Sequence, residues 1–255
     1  MQVTGIEDKH QRTGLLAVSL DGTLLPPQLI YEGATTRCHP RGIRFPTQWD
    51  IGHSESHWST SETMVRYINE ILVPFAMKTK KRLHLPTSQW AVVVLDVFRA
   101  HCTAEVLDTL KANRFHVVFV PGNCTSQLQP LDLSMNGPYK RILKEKFTDW
   151  YADLVGKALA SHPNDFVAAA AAVQPDLRLQ IIKPIHAGWV MDCHAAMAGK
   201  TKLLLDGWLK SGLAGAITGQ ATSAGNSTSE PLLKKKPEKT DISAIITNPP
   251  QLPSI

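Results

Sequence analysis

The sequence predicts an α/β fold, and three stretches carry that prediction. Residues 14–30 alternate apolar and polar positions around Asp21-Gly22, the pattern of a β-hairpin. AVVVLD (91–96) and HVVFVP (116–121) are short apolar runs separated by one helical segment, as in a strand–helix–strand unit with a right-handed crossover. From about Pro138 onward, apolar residues recur at helical rather than strand spacing.

The hairpin comes first and poses a chemical question. AVSLDGTLLP (17–26) contains Asp-Gly-Thr-Leu after an apolar run, the core of the haloacid-dehalogenase phosphatase motif. That chemistry needs a carboxylate two residues before the Asp-Gly, because it becomes the phospho-aspartyl intermediate. Ser19 stands there, without a neighbouring base. The turn reading accounts for the residues better: Gly tolerates positive φ and Asp bonds its own backbone. Leu16, Val18 and Leu20 alternate before the turn; Leu24, Leu25, Leu29 and Ile30 resume after it.

Gly33 to Trp58 reads as loop, punctuated by Pro40, Gly42, Pro46 and Gly52. Ser59 followed by Glu62 fits a capping box, and Met64, Ile68, Ile71, Leu72 and Phe75 continue at helical spacing toward an end near Pro74. The run from Lys78 to Arg82 reads as a solvated loop, with phosphate contact as its alternative. Val92 to Leu95 suggests a strand buried on both faces. Thr103 is placed to cap a helix carrying Val106, Leu107 and Leu110 and ending near Asn113. A long helix from about Pro138 to Leu154 has Tyr139, Ile142, Leu143, Phe147, Trp150 and Leu154 on its inner face. VAAAAAV (167–173) reads as helix or linker, Leu177 to Met197 as an amphipathic helix, and Leu203 to Leu213 as a short one. Residues 1–213 form the expected domain; 214–255 form a basic, Pro- and Ser-rich tail expected to be disordered, with apolar periodicity gone from about Gly219.

The 255 residues can bury a full-sized core, and 43% hydrophobic content fits a soluble globular protein. The net charge of +5 is compatible with an anionic partner. Cys38, Cys102, Cys124 and Cys193 lie far apart without a C-x-x-C pair, so neither a zinc site nor a disulfide framework is suggested. Reduced thiols point to the cytosol or nucleus. The polar N-terminus does not resemble a signal peptide, and no run of apolar residues is long enough for a membrane span.

Two acidic residues could carry chemistry. Asp96 ends the first apolar strand, where ligands gather in open α/β sheets. A divalent metal, a helix N-terminus or Arg99 could neutralise it. Asp132, in QLQPLD, precedes the long helix; capping is its plainer role. Together, with 35 residues between them, they would make two corners of a divalent-metal site for phosphoryl transfer, which normally needs a third acid. His101, five residues after Asp96, reads as an exposed histidine that could also touch substrate. His53 and His57 read as polar residues of a loop or helix start.

HWSTSETMVRYINEILVPF, then VVVLDVFRAHCTAEVLDTLKANRFHVVFVPGNCTSQLQPLDLSMNGPYKRILKEKF, resembles the DDE superfamily endonuclease domain. That domain occurs in pogo and Tigger-type transposases and in domesticated relatives such as jerky and centromere-binding protein B. LIYEGATTRCHP and DGWLKSGL fit as well, so the resemblance spans roughly residues 3 to 213. It implies a ribonuclease-H-like mixed sheet, antiparallel strands first and parallel strands after, flanked by helices. It implies that Asp96 and Asp132 are the second and third catalytic aspartates and hold Mg²⁺ or Mn²⁺. It also implies DNA as partner and a nuclear location, with Lys140, Arg141, Lys144 and His101 as candidate nucleic-acid contacts. Lys234-Lys235-Lys236 reads as a weak import signal or a solubilising run.

The family's first aspartate, on its first strand, would lie upstream of GIEDKHQRT, and Glu7 and Asp8 match a charged turn instead. The expectation is therefore a transposase-derived domain lacking that strand, without recognisable helix-turn-helix modules, whose metal site is incomplete and whose isolated chain does not cut. A non-catalytic DNA-binding or chromatin protein is the alternative; the phosphatase is a remote one.

Overall fold

The computed structural model describes residues 12–219, which form an α/β arrangement. Glu7, Asp8, Lys234–Lys236 and nearly all of the expected tail lie outside the described residues. Strand β1 (Arg12–Leu15) pairs antiparallel with β2 (Gln28–Glu32), from Arg12 opposite Tyr31 to Leu15 opposite Gln28. Between them the chain folds back at the expected turn, through an isolated bridge between Val18 and Leu24. Leu25 N–H donates to the Ala17 carbonyl at 2.9 Å. Gly22 has φ of +78°, and a Cβ there would press on Thr201 and Leu205, so both conformation and space demand glycine.

The expected loop of residues 33–58 contains a third strand. Strand β3 (Asp50–Ser54) runs parallel to β2, from Gln28 opposite Asp50 to Glu32 opposite Ser54. Its sequence, DIGHS, hides it by lacking apolar alternation. Tertiary bonds fix it instead: Asp50 is buried and accepts from Arg66 Nε at 2.6 Å, and also from the Gln28 amide. The same amide reaches the Thr63 carbonyl at 2.7 Å, joining the sheet to the next helix.

That helix starts one residue later than expected. Thr60, not Ser59, is the N-cap, and Thr63, not Glu62, completes the capping box. Helix α1 (Ser61–Tyr67) passes through one π-helical turn (Ile68–Leu72) into α2 (Val73–Arg82). Pro74 therefore does not end the helix. It lies in the first turn of α2, directly after the π turn, where proline is tolerated. The expected solvated loop at Lys78–Arg82 is thus the last turn of α2. Lys80 is buried and donates to the Thr87 carbonyl at 3.2 Å; Arg82 pairs with Asp21 at 2.9 Å.

β4 (Ala91–Asp96), α3 (Ala104–Ala112) and β5 (Phe115–Val120) form the expected parallel unit, with Thr103 capping α3 through Val106 N–H. Its odd-numbered face, Ala91, Val93, Leu95, Phe115 and Val117, packs on Met64, Ile68, Leu72, Val106 and Leu110. Burying each such side chain contributes about 1.5–3 kcal/mol. The even-numbered face departs from expectation: Val92 is 49% and Val118 43% exposed, so these strands are not buried on both sides.

One continuous mixed sheet does not form among the described residues. β1–β2–β3 make one sheet and β4–β5 another. An apolar cavity of about 400 Å³ separates them, lined by Leu15 to Leu20 on one side and Ala91 to Leu95 on the other. The expected order of pairing is present: β1–β2 is antiparallel, and β2–β3 and β4–β5 are parallel.

Helices complete the second layer. A short α4 (Thr125–Leu128) and a π-helical turn (Leu131–Met135) lead into α5 (Asn136–Ser161), which outruns its expected limits at both ends. All of VAAAAAV but its last residue is helical, within α6 (Phe166–Ala172), capped by Asp165. α7 (Leu179–Ala198) and α8 (Thr201–Lys210) follow, and Met135, Tyr139, Cys193, Met197 and Leu204 close a core over Leu24. α9 (Leu213–Thr218) runs across the expected boundary at 213. No helix among the described residues is long and apolar enough to cross a membrane.

Candidate metal centre and nucleic-acid face

Asp96 closes β4 opposite Val120, the last residue of β5. Its carboxylate is 40% exposed and lies 2.8 Å from His101 Nδ1. A 3₁₀ turn (Arg99–Cys102) bends the chain so that His101 returns to the strand end. The hydrogen bond from His101 holds the Asp96 carboxyl below the usual carboxylate range, against a smaller opposing effect of burial. The exposed-histidine expectation is therefore corrected: His101 is buried, with ring contact to Phe98. Its reach toward Asp96 has a physical cause, since a strand-end carboxylate needs a donor.

Asp132 lies exposed on the π-helical turn that opens α5. It accepts from the Asn136 side-chain amide at 2.6 Å, and its own N–H donates to the Gln129 carbonyl. α8 holds this turn in place: a Cβ on Gly207 would collide with the Pro130 carbonyl oxygen and crowd Ser134 Oγ. The residues immediately before the two aspartates, Leu95 and Leu131, line the same apolar cavity, together with Val120 and Pro130. Both carboxylates are hard oxygen donors, the type that Mg²⁺ and Mn²⁺ take.

Lys140, Arg141 and Lys144 are all exposed on the first turns of α5. Arg141 pairs with Glu145 at 3.7 Å, so part of its charge is met within the helix. Lys140 and Lys144 stand one helical turn apart. The aromatic residues of the same helix turn elsewhere: Phe147 and Trp150 meet Trp189 of α7 edge-on.

The remaining sequence candidates are placed by the hairpin and β3. Asp21 caps its own turn, accepting from the Ser19 hydroxyl and from Thr23 N–H, and both Ser19 and Arg82 help keep its carboxyl low. The Ser19 hydroxyl is thus committed to the turn, where it donates to Asp21. His53 is on β3 rather than in a loop, and His57 is buried beside Glu32, at φ of 56°. Sequence reasoning found no zinc pattern at Cys38 and passed over His39, yet the 3₁₀ turn Thr36–Cys38 brings both against His53.

The sequence pattern of the DDE superfamily endonuclease matches residues 10–175. The human protein "Pogo transposable element with KRAB domain" is 27% identical over 143 residues, covering 56% of this chain and 22% of the relative; its mouse counterpart gives the same figures. The human "Pogo transposable element with ZNF domain" is 25% identical over 147 residues, covering 58% of this chain and 10% of the relative. The chain thus spans a quarter or less of the length of these curated relatives. No solved structure matches. With a match that covers well over half of the chain and all five described strands, the chain belongs to the DDE superfamily endonuclease family.

Proposed function

We propose that this is a transposase-derived, DNA-binding DDE domain in which Asp96 and Asp132 are two carboxylates of an ancestral Mg²⁺ or Mn²⁺ centre, and that the chain by itself does not cut DNA. The observation that carries the pairing is the cavity shared by Leu95 and Leu131, which ties the β4 end to the turn before α5. A divalent ion held by both would polarise a phosphodiester and activate the attacking hydroxyl. Asp96, kept ionised by His101, is ready to bind a cation; His101 positions that carboxylate rather than touching nucleic acid. This chemistry normally uses a third acid, and among the described residues no group of three possible ligands includes this pair. Lys140 and Lys144 supply phosphate contacts, and a nuclear location follows from a DNA partner.

One observation favours a purely non-catalytic, chromatin-type reading. Each aspartate already has a protein donor, His101 for Asp96 and Asn136 for Asp132, so neither needs an ion to be satisfied. The experiment separates the readings. Supercoiled DNA is incubated with the chain and Mg²⁺ or Mn²⁺, and duplex binding is measured from low to moderate salt. We expect no nicking, but binding that falls steeply with salt, with a shallower slope for Lys140→Ala/Lys144→Ala. Nicking abolished by Asp96→Ala and by Asp132→Ala would overturn the inactivity. No binding at low salt would remove the DNA reading, and Mn²⁺ binding unaffected by either Asp variant would remove the metal pair.

A further inference from the structure

We propose that Cys38, His39 and His53 form a zinc site, with three protein ligands and one open position, that clamps the 36–39 turn onto β3. One ligand atom from each residue lies within 4.8 Å of the other two. His39 Nε2 and His53 Nδ1 are 3.2 Å apart. Two nitrogens bound tetrahedrally to one zinc at about 2.0–2.1 Å each sit roughly 3.3 Å apart, so the imidazoles already have the spacing of a coordination edge. The thiolate needs about 2.3 Å to the metal, so the Cys38 sulfur, within 4.8 Å of both nitrogens, must close in on the bound ion.

The surroundings hold these groups in place. Cys38 sits over Gly33, where an added Cβ would meet the Cys38 Cβ at 2.6 Å and its Sγ at 3.0 Å. The backbone of the turn is tied by Cys38 N–H to the Thr35 carbonyl, and Lys183 of α7 donates to the Cys38 carbonyl at 3.2 Å. His39 also interacts with the Gly52 backbone, the kind of outer hydrogen bond that orients a metal-bound imidazole. Zinc must displace the Cys38 thiol proton, so binding will tighten as pH rises. Arg66 and Lys183 repel a cation here; the thiolate formed on binding offsets one unit of that charge. Nitrogen and sulfur donors suit zinc and exclude magnesium, which separates this site from the aspartate pair.

The test uses the full chain. Zinc content is measured after dialysis, and Co²⁺ is added to the chelator-treated protein while its absorption is followed. We expect one retained zinc and, with Co²⁺, visible d–d bands together with a thiolate charge-transfer band. Cys38→Ser should abolish the charge-transfer band, and His53→Ala should weaken binding at least tenfold. On the unaltered chain, bound zinc should slow alkylation of Cys38 while leaving Cys124 unaffected, a readout that does not depend on any variant folding. Absence of stoichiometric metal, a Co²⁺ spectrum unchanged in Cys38→Ser, or equal alkylation of Cys38 with and without zinc would each overturn the site.

Discussion

At the scale of single residues, the decisive pair is Asp96 and His101. A carboxylate at a strand end is costly to desolvate, and here a buried imidazole at 2.8 Å offsets part of that cost. Because the hydrogen bond lowers the Asp96 pKa in the folded state, its contribution is present above the ordinary carboxylate value of 3.8 and is lost as pH falls through the lower folded value. His101→Leu keeps the bulk and removes the donor. We expect the Asp96 carboxyl to titrate at higher pH in that variant, followed by carbon-detected NMR of the side chain. The stability gap between wild type and variant should narrow as the solution is acidified below the carboxylate range. Identical titration of Asp96 in both proteins would show that His101 does not set its charge. The position of Asp96 was legible in the sequence because an apolar run ended on an acid. The partner was not, because a histidine five residues away has no periodicity to reveal that a 3₁₀ turn brings it back.

At the scale of elements, the structure turns on close approaches between segments distant in sequence. α8 packs on the turn carrying Asp132 through Gly207, and the Asp21-Gly22 turn packs on Thr201 and Leu205 at the start of the same helix. One helix thus braces both the hairpin and the candidate metal turn. Gly207→Ala inserts a methyl group against the Pro130 carbonyl and Ser134 Oγ, backbone and buried hydroxyl that cannot swing aside. Overpacking of this kind costs about 1–3 kcal/mol, although alanine favours helix by up to ~1 kcal/mol over glycine. Chemical denaturation should therefore show net destabilisation; a variant as stable as wild type would mean that α8 does not press on this turn. Such contacts explain which elements the sequence announced. The strand–helix–strand unit, the hairpin and α7 carry their own periodicity and were legible. β3 was not, because DIGHS gains its strand from Arg66, Gln28 and the β2 ladder. The end of α2 was misplaced because Pro74 normally stops a helix, and only the preceding π turn makes room for it.

At the scale of the whole molecule, the two sheets and the cavity between them govern how the chain behaves in solution. β1 and β4 belong to different sheets, and neither has a second neighbour on its other edge among the described residues. Unpaired strand edges with apolar surroundings invite pairing between molecules. The open face of β4–β5 adds to this, since Val92 and Val118 are half-exposed on neighbouring strands with Val94 directly opposite Val118. Val92 also lines the cavity, so edge and face form one continuous apolar surface. Val92→Lys and Val118→Lys place charges on that face while leaving the packed face, Ala91, Val93 and Val117, untouched. Each substitution should cost less than about 1 kcal/mol, because the side chains are already half in water. Light scattering against protein concentration should show the onset of association moving to higher concentration in both variants, with melting temperatures close to wild type. A loss of several degrees would mean instead that this face is covered within the folded chain, and unchanged association would place the sticky surface elsewhere. The comparison matters for the proposed DNA contact as well: Lys140 and Lys144 lie on α5, so a gain in solubility from the β4–β5 face should leave the salt dependence of DNA binding as it was.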